Sequence, residues 1–291
     1  MTGRPVIHVG IPRGASTFLQ KRIFPNVPGY RYVREPNFEA LGHGHLDVLD
    51  AELRDAFRSF ADQNVILSQE SSLFRFAIYT GRFHPDPRII FSNIHELYGR
   101  NCMIVMVIRR QDTAIDSMIR FKQRYLSNPS MYLMDYPVRT SIFGVHKASG
   151  LYGKLLDAYN YHSNVFLLLP AFGKENIRIL LYEDLINDPA KFFRGLSECF
   201  GADLTPLISS AQERENVRHH KYENLPKGYV PMGHILRKLN NLSGYRLEKL
   251  LPERKFGLPP DDAKGIMKIF ADQNRLLDDL FGLGLQRYGY Y

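Results

Sequence analysis

Short aliphatic runs alternate along the chain with stretches in which apolar residues recur every three or four positions. Val6, Ile7 and Val9 form a β-branched run of the kind found in a buried parallel strand. Gly10, Pro12 and Gly14 break that run, and Ser16 and Thr17 open an amphipathic helix predicted to reach Phe24. Residues 30–33 (YRYV) predict a short strand, followed by Arg34, Glu35 and Phe38 and by a glycine- and histidine-containing linker over 42–45. Leu53, Phe57 and Phe60 place one buried stripe on a helix over 50–63. The next buried strand, 65–67, ends at Ser68, Gln69 and Glu70. A helix over 94–98, a strand over 103–108 (MIVMVI) and a helix over 112–125 follow, whereas 126–150 has no clean period. Two helical stretches between 151 and 172, a strand over 177–182 and a helix over 189–200 come next. Residues 212–228 are polar and basic. The last long helix, 261–280, carries Ile266, Ile269, Phe270, Leu276 and Leu277 near one face.

Strands alternating with helices predict an α/β fold of three layers, α/β/α, with a central parallel sheet covered on both faces. No internal repeat, low-complexity tract or long linker divides the chain, so a single domain over 1–291 is expected. Right-handed crossovers then bring the turns that follow the strands to the C-terminal edge of one sheet.

Composition changes this picture little. A hydrophobic content of 44% supplies a substantial core. The formal charge of +8 fits either a mildly basic surface or attraction of a multiply anionic ligand. No long basic run or aromatic-interleaved motif points to nucleic acid. Cys102 and Cys199 flank a strand and lie in an apolar helix, which predicts two buried free thiols and suits a reducing cytosol. No signal peptide or 18-residue apolar stretch occurs, so no transmembrane segment is expected. A bacterial cytoplasmic protein is the preferred expectation over an excised Golgi-type domain. Oligomeric state is not legible.

The chemistry concentrates in the first 20 residues. Strand, glycine-bearing turn and helix make a cradle whose backbone N–H groups point at a phosphate. Arg13 sits in the turn, and the Ser16 and Thr17 hydroxyls add donors. A nucleoside-triphosphatase loop would read G-x-x-x-x-G-K-S/T. Here Gly10 to Gly14 is one residue too short, and Ala15 stands at the lysine position. The strand over 103–108 ends in Arg109 and Arg110, cations where a Mg²⁺-holding carboxylate would be needed.

Four motifs in order resemble the sulfotransferase superfamily, whose donor is 3′-phosphoadenosine 5′-phosphosulfate. The family's P-K/R-x-G-S/T-T turn, which grips the 5′-phosphosulfate, is matched by Pro12, Arg13, Gly14, Ala15, Ser16 and Thr17, with alanine in place of the usual glycine and arginine in place of the commoner lysine. A strand, an arginine and a serine eight positions on clamp the 3′-phosphate in the family; Arg109 and Ser117 match. ILLYEDLINDPAKFF resembles a third signature, and the tail from Asn274 through Leu277 to Gly289 and Tyr290 a fourth. The resemblance spans almost the whole chain and implies the family's P-loop-like fold. It also implies binding of the donor and of its product, adenosine 3′,5′-bisphosphate, at Arg13, Gly14, Ala15, Ser16, Thr17, Arg109 and Ser117, with the basic stretch around Arg218 folding over the nucleotide.

Sulfuryl transfer needs charge stabilised on the leaving phosphate and a group to take the acceptor's proton. Metal is not intrinsically required. Arg13 is the candidate for the first role; always protonated, it can stabilise charge but not donate a proton as lysine would. For the base, a K-E-x-x-F segment of glycan sulfotransferases resembles Arg34, Glu35 and Phe38. This makes Glu35 the leading residue against the plainer reading of a solvated loop glutamate paired with Arg34. Glu70, ending a strand, is the second carboxylate, as an acceptor ligand, a base or a structural ion pair. Glu183 and Asp184 fit caps and networks, while His43 and His45 remain minor candidates for the base. The scattered histidines have no metal-ligand spacing, and no metal site is expected. The implied function is sulfation of a hydroxyl on a carbohydrate, glycolipid or other small acceptor. A phosphoryl-transferring kinase, or a degenerate protein that keeps the nucleotide pocket without turnover, are the competing readings.

Overall fold

The computed structural model describes residues 3–34, 38–69, 86–125, 156, 158–212, 258 and 260–291. Glu35, Glu70 and Arg218 lie outside the described residues, as do 126–150 and 213–228.

Five strands form one parallel sheet: β1 (Val6–His8), β2 (Arg31–Val33), β3 (Val65–Ser68), β4 (Met103–Ile108) and β5 (Ile177–Leu181). Their spatial order is β2-β3-β1-β4-β5, with β1 at the centre between β3 and β4. Every residue of β1 and β4 is buried. That explains why these strands are near-continuous apolar runs: a parallel sheet flanked by helices wets neither face.

Side chains alternate across the sheet. Ile7, Val9, Ile104, Met106 and Ile108 pack on one face, with Phe57, Ile94, Ile115, Leu168 and Ile266 from the helices α2 (Ala51–Arg58), α3 (Pro87–Tyr98), α4 (Gln111–Tyr125), α5 (Tyr161–Phe172) and α8 (Pro260–Phe281). Val6, Ile66, Val105 and Val107 pack on the other, beneath Phe18, Leu19, Ile23, Phe24 and helix α7 (Pro189–Phe200). The three-layer α/β/α arrangement is therefore as the periodicity predicts.

Several boundaries differ from the periodic reading. The helix expected to run unbroken to Phe24 is a single turn, α1 (Ser16–Phe18), that widens into a π-turn over Leu19–Ile23 and tightens to 3₁₀ at Phe24–Asn26, where Pro25 falls. α2 ends at Arg58 because the chain tightens there: the Phe60 amide bonds back to the Phe57 carbonyl at 3.0 Å, which keeps both rings in the core. α3 begins at Pro87, seven residues before the apolar spacing became visible. Asp86 caps it by accepting from the Arg88 amide at 2.9 Å, with proline at the first helical position. β5 stops at Leu181, so Tyr182 opens helix α6 (Tyr182–Asn187) instead of closing the strand.

Cys102 and Cys199 are buried and unbridged, and burial pushes both thiols up to about 12. Among the described residues, no helix is long and apolar enough to cross a membrane.

Candidate active site

The loop leaving the C-terminal end of β1 is held in a shape that ordinary residues resist. Arg13 (φ 76°) and Ala15 (φ 70°) are left-handed, whereas Gly14 between them is not. Left-handed residues in a turn after a strand are the backbone shape from which anion-binding concavities are built. The Gly14 amide closes the turn onto the Ile11 carbonyl at 3.0 Å. Gly14 is required by a close approach: a Cβ there would lie 2.5 Å from the Val107 carbonyl of β4. Ser16 is 3% exposed, and its hydroxyl has no hydrogen-bond partner among the described residues. A buried hydroxyl without a partner beside this strained turn fits a ligand that supplies acceptor oxygens.

β4 delivers the second cluster. Arg110 is committed to structure: its guanidinium chelates Asp112, with Nε 2.8 Å from Oδ1, and its amide donates to Glu183 Oε1 at 2.9 Å. Arg109 has no carboxylate partner among the described residues; it stacks over the Tyr182 ring at 4.4 Å and donates through Nε to Thr113 Oγ1 at 3.0 Å. Ser117, on α4, is reached by the first loop. Arg13 Nε donates to Ser117 Oγ at 2.9 Å, so residues 104 positions apart join the two motifs.

Two tyrosines absent from the sequence reading pin these motifs from behind. The Tyr159 hydroxyl donates to the Pro12 carbonyl at 3.5 Å, and the Tyr161 hydroxyl donates to the Arg109 carbonyl at 2.6 Å. Their rings meet edge-on with centroids 6.4 Å apart, and both are buried. A hydrophobic pattern cannot distinguish such tyrosines from core filler, because their partners are carbonyls on distant loops.

The remaining motif residues are structural. Glu183 also accepts from the Tyr290 hydroxyl at 2.9 Å. Asp184 accepts from Arg287 and from the Tyr288 hydroxyl, and pairs with Lys191 at 3.1 Å. Buried Asn274 exchanges amide bonds with Gln111 at 2.7 and 3.1 Å, and donates to the Tyr290 carbonyl at 2.9 Å. The C-terminal motif thus braces the first turn of α4, immediately after Arg109 and Arg110. His43 and His45 are exposed. Among the described residues, no group of three or more His, Cys, Asp or Glu is placed to hold a metal ion.

A further buried polar cluster lies under the first loop. His8 is fully buried against Ser68 on β3, and Gln20 in the π-turn donates to that serine. The sequence offered one signal for it, a histidine inside an otherwise aliphatic strand.

The sequence matches no family model and no curated protein. The crystal structure of a sulfotransferase from Alicyclobacillus acidocaldarius aligns over 98% of this chain and 99% of its own, with a TM-score of 0.56 at 12% identity. The sulfotransferase domain of the Synechococcus PCC 7002 olefin synthase aligns over 93% of this chain and 95% of its own, with a TM-score of 0.46 at 14% identity. A mouse sulfotransferase complexed with PAP aligns over 99% and 88%, with a TM-score of 0.47 at 12% identity. The parallel sheet and the near end-to-end alignment with the first of these agree: the chain has the sulfotransferase fold.

Proposed function

We propose that the protein transfers a sulfuryl group from 3′-phosphoadenosine 5′-phosphosulfate to a hydroxyl acceptor, with a carbohydrate or glycolipid as the preferred acceptor class. One observation carries the reading: Arg13 Nε donates to Ser117 Oγ, so the loop assigned to the 5′ side and the helix assigned to the 3′ side touch. A nucleotide phosphorylated at its 3′ and 5′ ribose positions would draw on Arg13 at one end and on Arg109 with Ser117 at the other.

The loop residues Arg13, Gly14, Ala15, Ser16 and Thr17 would hold the phosphosulfate end, and Arg109 with Ser117 the 3′-phosphate. The donor supplies the sulfuryl group. Its sulfur–oxygen bond to phosphate breaks as a bond to the acceptor oxygen forms, and adenosine 3′,5′-bisphosphate leaves. Arg13 places a fixed positive charge where the leaving phosphate gains negative charge, and it keeps its own proton throughout. The acceptor's proton goes to a carboxylate, for which Glu35 is the first candidate and Glu70 the second. Arg218 belongs to the basic stretch proposed to cover the nucleotide. The carbohydrate assignment rests on the likeness of Arg34, Glu35 and Phe38 to the glycan-sulfotransferase segment.

Thermal unfolding with added ligand tests the reading. Adenosine 3′,5′-bisphosphate without metal is expected to raise Tm, since a ligand that binds only the folded state stabilises it by mass action. Stabilisation by ATP–Mg²⁺ with none by the bisphosphate would favour a kinase instead. Transfer of labelled sulfate to a glycan pool separates an active enzyme from one that only binds.

A further inference from the structure

We propose that His8 is a positioning residue for donor binding: from beneath the loop its Nε2–H orients the Ser16 hydroxyl toward the bound anion, while Ser68 and Gln20 fix its tautomer. This rests on the sulfotransferase reading above.

Alternation along β1 turns His8 to the same face as Phe24, whose ring it meets edge-on at 5.2 Å. Its Nδ1 lies 2.8 Å from Ser68 Oγ, and Gln20 Nε2 donates to the same oxygen at 3.0 Å. With the Gln20 amide on one lone pair of Ser68, one assignment gives the Ser68 hydrogen an acceptor among the described residues. In it, Ser68 donates to Nδ1, and the imidazole proton sits on Nε2.

That Nε2–H is an orphan. His8 is 0% exposed, and Nε2 has no partner among the described residues, a state it shares with Ser16 Oγ. Both atoms pack against Gly10. A Cβ built on Gly10 would lie 2.5 Å from Ser16 Oγ, 2.6 Å from His8 Cε1 and 3.1 Å from His8 Nε2. Only glycine lets the two side chains come this close to the backbone and to each other. Two neighbouring buried donors without acceptors are costly, and an anion that accepts from Ser16 frees the Ser16 oxygen to take the His8 proton. Ser16 donates its hydrogen to the anion, and a small shift of its side chain lets its oxygen accept the His8 proton. The chain then runs Gln20 to Ser68 to His8 to Ser16 to anion, each bond polarising the next.

Two features support the arrangement. Burial lowers the His8 pKa from 6.5 to about 3, so the ring stays neutral and accepts at Nδ1 while donating at Nε2. Gln20 lies in the π-turn, the segment in which the first helix departs from regular geometry. Such wide turns recur at functional sites.

A double-mutant cycle tests the relay by calorimetry with adenosine 3′,5′-bisphosphate, on wild type, His8→Phe, Ser16→Ala and the double variant, each checked for cooperative unfolding. The relay predicts about ten-fold weaker binding for each single variant, and a double variant within about two-fold of Ser16→Ala. A purely structural His8 predicts losses that multiply to about a hundred-fold, and that result overturns the inference while leaving the functional reading intact. Should His8→Phe fail to fold, Ser68→Ala replaces it in the cycle: a loss present in wild type and absent in the Ser16→Ala background supports the relay, and an equal loss in both overturns it. Wild type that binds no bisphosphate overturns the functional reading and this inference together.

Discussion

Ala15 sits where the backbone favours glycine. At φ 70° its Cβ crowds the adjacent backbone, which costs an L-residue roughly 1–2 kcal/mol. Glycine would remove that cost but adds freedom to the unfolded chain, worth about 0.4–1 kcal/mol. The balance predicts that Ala15→Gly raises Tm by a degree or so, measured by scanning calorimetry; a lower Tm would place the strain elsewhere. The candidate base gives a second prediction. Glu35→Gln should keep bisphosphate affinity and lower kcat by about 10²-fold or more, read from initial rates with saturating donor. Near-normal turnover would remove Glu35 from the role and direct the same test to Glu70. At this scale the loop as a candidate site was legible because Arg13, Ser16 and Thr17 are neighbours in sequence. His8 was not, because Ser68 reaches it only after β3 pairs with β1, and Gln20 reaches Ser68 from the π-turn.

Elements were most legible where their cause is local. β4 and α7 match the pattern residue for residue, since each is an uninterrupted apolar run or an amphipathic stripe with clear ends. The start of α3 was hidden because its signal is a cap, Asp86 followed by Pro87, and not a period. The π-turn was hidden because nothing in Leu19–Ile23 departs from helical spacing. β1 carries a consequence for stability. Its buried histidine is neutral when folded, with a pKa of about 3 against 6.5 for the free side chain. Between those values the unfolded chain binds more protons than the folded one, so stability falls as pH drops through 6.5 toward 3. The slope approaches about 1.4 kcal/mol per pH unit from this one group. Urea unfolding of wild type and His8→Phe across that window should show a shallower pH dependence in the variant. Parallel curves would mean that His8 titrates normally.

For the molecule as a whole, the parallel sheet was legible from strand–helix alternation, and the order β2-β3-β1-β4-β5 places the two candidate anion-binding motifs after adjacent strands. What no local pattern revealed is how they are tied: Tyr159 holds one loop and Tyr161 the other, Asn274 braces α4 through Gln111, and Arg13 bridges to Ser117. These contacts join residues far apart in sequence, and they turn two motifs into one candidate site. The account therefore stands on both arginines serving one ligand. Calorimetric titration of metal-free protein with adenosine 3′,5′-bisphosphate tests this directly. Wild type should bind one equivalent, and Arg13→Ala and Arg109→Ala should each lose about 1.5–3 kcal/mol, the scale of a hydrogen bond to a charged group. If either variant binds the bisphosphate as tightly as wild type, the two arginines do not share a ligand and the account is wrong.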